Sequence, residues 1–222
     1  MNIYLDIETL PTEDPAVIAD IAAGITPPGN ISKAETIAAW NLDKKPEAVK
    51  QAVLRTSFDG TYGRILCAGW AVDNAEPQHL IGEETIVLSG FMDALLPIMP
   101  QSRLEQSAVF VGHNISGFDL RFLWQRCVIN KIIMPATLLA ACRAKAWDKS
   151  IADTMFLWNP DRERRISLDK LCRALGVQTS KGDMDGSKVH ETYLAGDLDK
   201  IATYCMKDVV ATRECFRRMM FS

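Results

Sequence analysis

Residues 1–10, MNIYLDIETL, alternate by two: Ile3, Leu5 and Ile7 fall on one side of an extended chain, and Tyr4, Asp6 and Glu8 on the other. The apolar side predicts a buried strand. The other side ends in two carboxylates, and in a strand residues i and i+2 project the same way with Cα atoms about 6.5–7 Å apart. Acids so placed can hold one hard cation between them. Unpartnered in mid-sheet they would be costly. The same D-x-E pattern recurs at Asp161–Glu163, beside a proline and among arginines, where a solvated loop is the better reading. Position distinguishes Asp6 and Glu8, but the pair alone leaves a purely structural role equally open.

Outward from this strand, residues 11–61 change texture. They hold five of the ten prolines and two short helical patterns, at about 33–41 and 46–55, and read as an insertion between two strands of a single domain spanning 1–222. Arg64–Val72 (RILCAGWAV) predicts the next strand, Glu84–Leu88 a third and Gly90–Leu104 a helix. Strand Ala108–Gly112, helix Gly117–Val128, helix Ala136–Ala146 and strand Ser150–Leu157 follow. Ser167–Leu175 predicts a helix with a Ser cap and a stop at Gly176. Residues 178–188 read as a polar loop, and Leu198–Met219 as a final helix introduced by Gly196 and Asp197.

Three further acids sit at informative places. Asp119 opens the helix after the strand 108–112; Ser116-x-x-Asp119 also has capping-box spacing, and an acid in a first turn suits the helix dipole. Asp208 lies in an apolar stripe of the last helix, Ile201, Tyr204, Asp208, Ala211, Cys215, where a carboxylate needs a partner or a metal. Tyr204 stands one turn earlier on the same face. Tyr193-x-x-x-Asp197 has equal spacing, but Gly196 inside it weakens the turn, which favours the 204/208 pair. Asp153 reads as a structural cap. Asp183-x-Asp185-Gly186 fails the calcium-loop template, with Lys181 and Thr192 at its first and last ligand positions. His113 reads as a hydrogen-bonding loop residue.

The ordered set, D-I-E-T, then H-N-x-x-x-F-D, then Y-C-x-x-D-V-x-x-T, resembles the Tyr-containing subclass of the DEDD 3′→5′ exonucleases. It looks most like stand-alone exonucleases related to the proofreading domain of family B DNA polymerases. The resemblance covers residues 1–10 and about 64–222. It implies an α/β, ribonuclease H-like fold: a central mixed sheet, first three strands antiparallel, flanked by helices. It also implies Asp6, Glu8, Asp119 and Asp208 as ligands of two Mg²⁺ ions, Mn²⁺ substituting, with Tyr204 as the fifth catalytic residue. Thr9, Leu10 and Asn114 resemble substrate contacts. The activity implied is hydrolysis of DNA, single-stranded 3′ ends above all, to 5′-mononucleotides. A 3′→5′ exoribonuclease, another ribonuclease H-like nuclease and a non-catalytic module holding 3′ ends are the alternatives.

Composition agrees with a globular enzyme. The 222 residues are 48% hydrophobic and 24% charged, and 25 Lys+Arg against 28 Asp+Glu give a formal −3. That excludes global disorder and a strongly basic coat protein, but not a nucleic-acid enzyme whose metal-holding acids mask its basic residues. Arg162, Arg164 and Arg165 form the densest basic cluster, and Lys181 and Lys188 flank the polar loop; each is as readily a solvated surface as a phosphate track. Trp40, Trp147 and Trp158 could stack on bases. Six cysteines without metal spacing read as buried thiols of a reduced, cytoplasmic protein. No membrane span or signal peptide is expected.

Overall fold

A computed structural model describes residues 1–99, 108–161, 165–182 and 184–222. The chain divides into two compact units, Met1–Thr9 with Ile65–Ser222, and Leu10–Arg64. The first is built on a five-stranded mixed sheet. Its strands are β1 (Asn2–Leu10), β2 (Arg64–Val72), β3 (Gln78–Ile81), β4 (Val109–Gly112) and β5 (Ile151–Asp153), in the order β3-β2-β1-β4-β5. β1, β4 and β5 are parallel and β2 pairs with β3 antiparallel. Asp73, just past β2, donates its N–H to Asn2 O at the start of β1, which sets those neighbouring strands in opposite directions.

The two faces of β1 enter different cores. Ile3, Leu5 and Ile7 join the larger one, with Val87, Leu88, Phe91 and Leu95 of helix α4 (Glu84–Leu95) and Leu120, Phe122 and Leu123 of α5 (Asp119–Ile129). Leu138 and Ala141 of α6 (Ala136–Arg143) join the same core. Tyr4, on the opposite face, packs with Val111, Ala152 and Val209, the last from α10 (Leu198–Met219). Asp6 and Glu8 continue the Tyr4 face and so point toward α10.

The third strand lies earlier than expected. Residues 84–88 begin helix α4, because Glu83 caps Ile86 N–H and the buried positions 87, 88, 91, 92 and 95 follow a helical period. α4 ends at Leu95 with a 3₁₀ turn to Ile98, and the remainder of the helix expected to Leu104 lies outside the described residues from 100 on. The strand at 150–157 is cut to three residues, because Asp153 caps the short helix α7 (Thr154–Trp158) through Met155 and Phe156 N–H. α8 (Leu168–Leu175) starts at Ser167 and stops at Gly176, which takes φ +64°. α9 (Val189–Leu194) was unforeseen.

The second unit holds α1 (Pro15–Gly24), α2 (Ala34–Asp43) and α3 (Lys45–Arg55). The helical patterns at 33–41 and 46–55 correspond to α2 and α3. α1 was hidden by its proline, yet Pro15 occupies the first turn, where its missing N–H costs nothing, and Asp14 accepts from Ala16 N–H at 2.8 Å. Thr12 N–H donates to Thr56 Oγ1 at 2.8 Å and Arg64 pairs with Glu13 at 2.6 Å.

Candidate active site

The carboxylates expected to act together meet at the carboxyl end of β1. β4 pairs with only the first part of β1, Asn2 to Tyr4. Beyond Tyr4, Ile7 N–H donates instead to Asp119 Oδ1 at 3.1 Å. This places the first residue of α5 beside the strand that carries Asp6 and Glu8. From the other side α10 brings Asp208 and Tyr204. Glu8, Asp119 and Asp208 are only 7, 4 and 8% exposed.

The charges feel one another. Burial pushes Asp6 and Glu8 well above the usual carboxylate range, and the Asp208 charge pushes both further. Asp119 is raised to about 7, chiefly by burial; its own N–H and that of Ile7 oppose the shift. Asp208 is also raised by burial, but hydrogen bonds from Ser180 and Tyr204 and the nearby Lys181 charge favour its anion. Burial and the Asp208 carboxylate push the Tyr204 phenol up, so it remains a hydrogen-bond donor.

These groups fit a hard cation. Asp6 Oδ2 is buried and has no hydrogen-bond partner among the described residues. Ligand atoms of Asp6, Glu8 and Cys205 lie within 4.8 Å of one another. Cys205 is fully buried, its thiol is 3.5 Å from Asp6 O, and its neighbour Cys67 and burial push its pKa well up. It therefore stays protonated and packs behind the carboxylates, while oxygen ligands suit Mg²⁺ or Mn²⁺. Gly69 makes room for it: a Cβ there would lie 2.8 Å from Cys205 Sγ.

Asp153 performs the structural role expected of it, and more. It is 2% exposed and accepts from Asn114 N–H, Ser116 N–H and Ser116 O–H besides capping α7. The Ser116 hydroxyl is thus committed to Asp153 and forms no capping box with Asp119; α5 starts at Phe118 without a side-chain cap. Asn114 is held at φ +63° on this anchor, a backbone that Asn tolerates. His113 sits 2.9 Å from both Thr154 Oγ1 and Ile166 O, as a hydrogen-bonding loop residue should.

Of the other expected substrate contacts, Thr9 is half-buried and the Leu10 side chain fully buried. The alternative pair is not brought to the site: Asp197 is exposed and caps α10 at Lys200 N–H, and Gly196 at φ +80° separates it from Tyr193. Arg162, Arg164 and Asp183 lie outside the described residues. Ser180 was not singled out from the sequence. It is 8% exposed and reaches Asp208 only through the path of the 178–182 loop, for which a lone serine carries no signal.

A sequence model of the family described as predicted 3′-5′ exonucleases related to the exonuclease domain of PolB matches residues 84–222, a span containing Asp119, Tyr204 and Asp208. Among solved structures, the family B DNA polymerase from the hyperthermophilic archaeon Pyrobaculum calidifontis is similar over 99% of this chain, with TM-score 0.58 and 14% identity. The chain corresponds to 24% of that polymerase. No curated protein matches.

Proposed function

Since the chain belongs to the family of predicted 3′-5′ exonucleases related to the PolB exonuclease domain, we propose that it hydrolyses DNA from single-stranded 3′ ends to 5′-mononucleotides at Asp6, Glu8, Asp119 and Asp208. The observation that carries this reading is the buried Asp6 Oδ2, unpartnered among the described residues, amid three further carboxylates. Two Mg²⁺ or Mn²⁺ ions bound there would supply an activated water and stabilisation of the leaving 3′-oxygen. Asp6 would hold both ions, Glu8 and Asp208 would complete one of them, and Asp119 would support the other. The Tyr204 hydroxyl, kept protonated beside Asp208, orients the attacking water. Thr9 contacts the terminal nucleotide, and Asn114 the strand. Burial of the acids excludes bulk water, which strengthens each electrostatic interaction in the site.

The test uses 5′-labelled single-stranded DNA and RNA of equal sequence, each with Mg²⁺, Mn²⁺ or EDTA. A ladder shortening from the 3′ end of DNA, abolished by EDTA and by Asp6→Ala, is expected. Full activity in EDTA, a ladder from the 5′ end, or wild-type turnover by Asp6→Ala would overturn the proposal. Preference for RNA would move the enzyme to the exoribonucleases.

A further inference from the structure

Beside the carboxylates, the outer face of α10 and the loop 178–182 enclose two adjoining cavities of about 400 and 350 Å³. They share Ser180, Gly182, Thr203 and Lys207, so they form one continuous groove. One end reaches Tyr204, and Ser180 in its wall hydrogen-bonds Asp208. From this groove we infer that the chain binds a second stretch of its polynucleotide substrate, several nucleotides long and single-stranded, along α10. The inference rests on reading the carboxylate cluster as the hydrolytic centre.

Charge and shape select the occupant. Lys200, Thr203 and Lys207 recur at spacings of three and four, which places them on one face of α10 over roughly 10 Å of helix axis. Lys181 faces them from the loop. All three lysines are exposed, and none forms an ion pair among the described residues. Asp199 is the one acid lining the groove among the described residues, so the cations outnumber it. Pro77, Met206 and Val210 line the far end with apolar surface. A cationic rim over an apolar floor suits phosphates with unstacked bases; a duplex would present only its backbone. The substrate grip missing from the net charge of −3 is thus concentrated on one helix face.

The experiment compares wild type with the charge-reversed double variant Lys200→Glu, Lys207→Glu on two substrates. One is a single-stranded 20-mer. The other is the p-nitrophenyl ester of thymidine 5′-phosphate, which is too short to extend along the groove while its phosphodiester lies at the carboxylates. Binding of the 20-mer is followed in parallel by fluorescence anisotropy in EDTA across a salt series. The variant should lose at least tenfold more kcat/KM on the 20-mer than on the ester. Its slope of log affinity against log salt should fall by about 1.4, the release expected from two phosphate contacts to a single strand. Equal losses on both substrates, or an unchanged salt slope, would overturn the groove. If wild type hydrolyses neither substrate the catalytic reading fails, and the anisotropy series still decides whether the groove binds.

Discussion

Asp208 and Tyr204 show how a residue's chemistry follows from what surrounds it. The α10 stripe puts both on the sheet-facing side, and burial together with the surrounding carboxylates holds the phenol protonated. Tyr204→Phe removes both the hydrogen bond to Asp208 and the hydroxyl proposed to orient the attacking water, with little change of shape. It should lower kcat by on the order of 10- to 100-fold, the rate equivalent of about 1–3 kcal/mol, while the melting temperature falls by no more than the loss of one hydrogen bond, about 1 kcal/mol, accounts for. Tyr193→Phe should leave the rate within twofold; the reversed pattern in steady-state kinetics would move the third motif to residues 193–197. Asp153 is the contrasting acid, as buried as the site carboxylates but with its oxygens satisfied by five hydrogen-bond donations. Asp153→Ala should cost on the order of 3 kcal/mol in urea unfolding, through the loss of charged hydrogen bonds from buried donors.

Between elements, the join of α4, α5 and β2 depends on Glu84. Its carboxylate accepts from Arg126 Nε at 2.9 Å, Arg126 Nη2 at 2.7 Å, Asn130 Nδ2 at 3.0 Å and Ile65 N at 2.7 Å. The same residue lay at the start of the apolar run that reads as a strand. In the fold it opens α4, and the run Ile86-Val87-Leu88 supplies one turn of the helix. Glu84→Ala removes the acceptor shared by the largely buried Arg126 guanidinium, Asn130 Nδ2 and the Ile65 N–H. Breaking one side of a buried pair costs about 3–5 kcal/mol, so thermal unfolding should shift down strongly. Glu84→Gln should recover part of the loss, because it restores an acceptor for Ile65. Equal stability of Glu84→Ala and wild type would remove Glu84 from this role.

At the scale of the molecule, the cluster opposes folding when no cation is bound. Asp119 titrates at about 7 in the folded protein and at about 3.9 in an unfolded chain. Between those values the folded state holds a proton that the unfolded state has released. Stability of the metal-free protein should therefore fall as pH rises from about 4 to 7, and the raised Asp6 and Glu8 act with the same sign. Thermal unfolding in EDTA should show a lower midpoint at pH 8 than at pH 5.5. Mg²⁺ should reverse the trend, adding about 2.7 kcal/mol at a hundredfold excess over Kd. Asp208→Asn removes one charge at nearly constant shape; it should equal or exceed wild type in EDTA, respond less to Mg²⁺ and nearly abolish turnover. A large loss of stability in EDTA would make Asp208 a structural acid.

Periodicity alone determined which faces of β1 and α10 meet the core, because alternation by two and the three-four spacing are local consequences of backbone geometry. It also located the caps at Ser167 and Asp197 and the stop at Gly176, where one side chain or one positive φ decides the outcome. The identities of Asp6, Glu8, Asp119, Tyr204 and Asp208 were legible as ordered motifs. Their mutual proximity was not, since it depends on β1 outrunning β4 and on α10 returning about 200 residues later to the same sheet face. Ser180, Cys205 behind Asp6, and the groove along Lys200 and Lys207 likewise belong to the tertiary structure. Each arises from segments distant in sequence, and no local propensity encodes which loop will cover which helix.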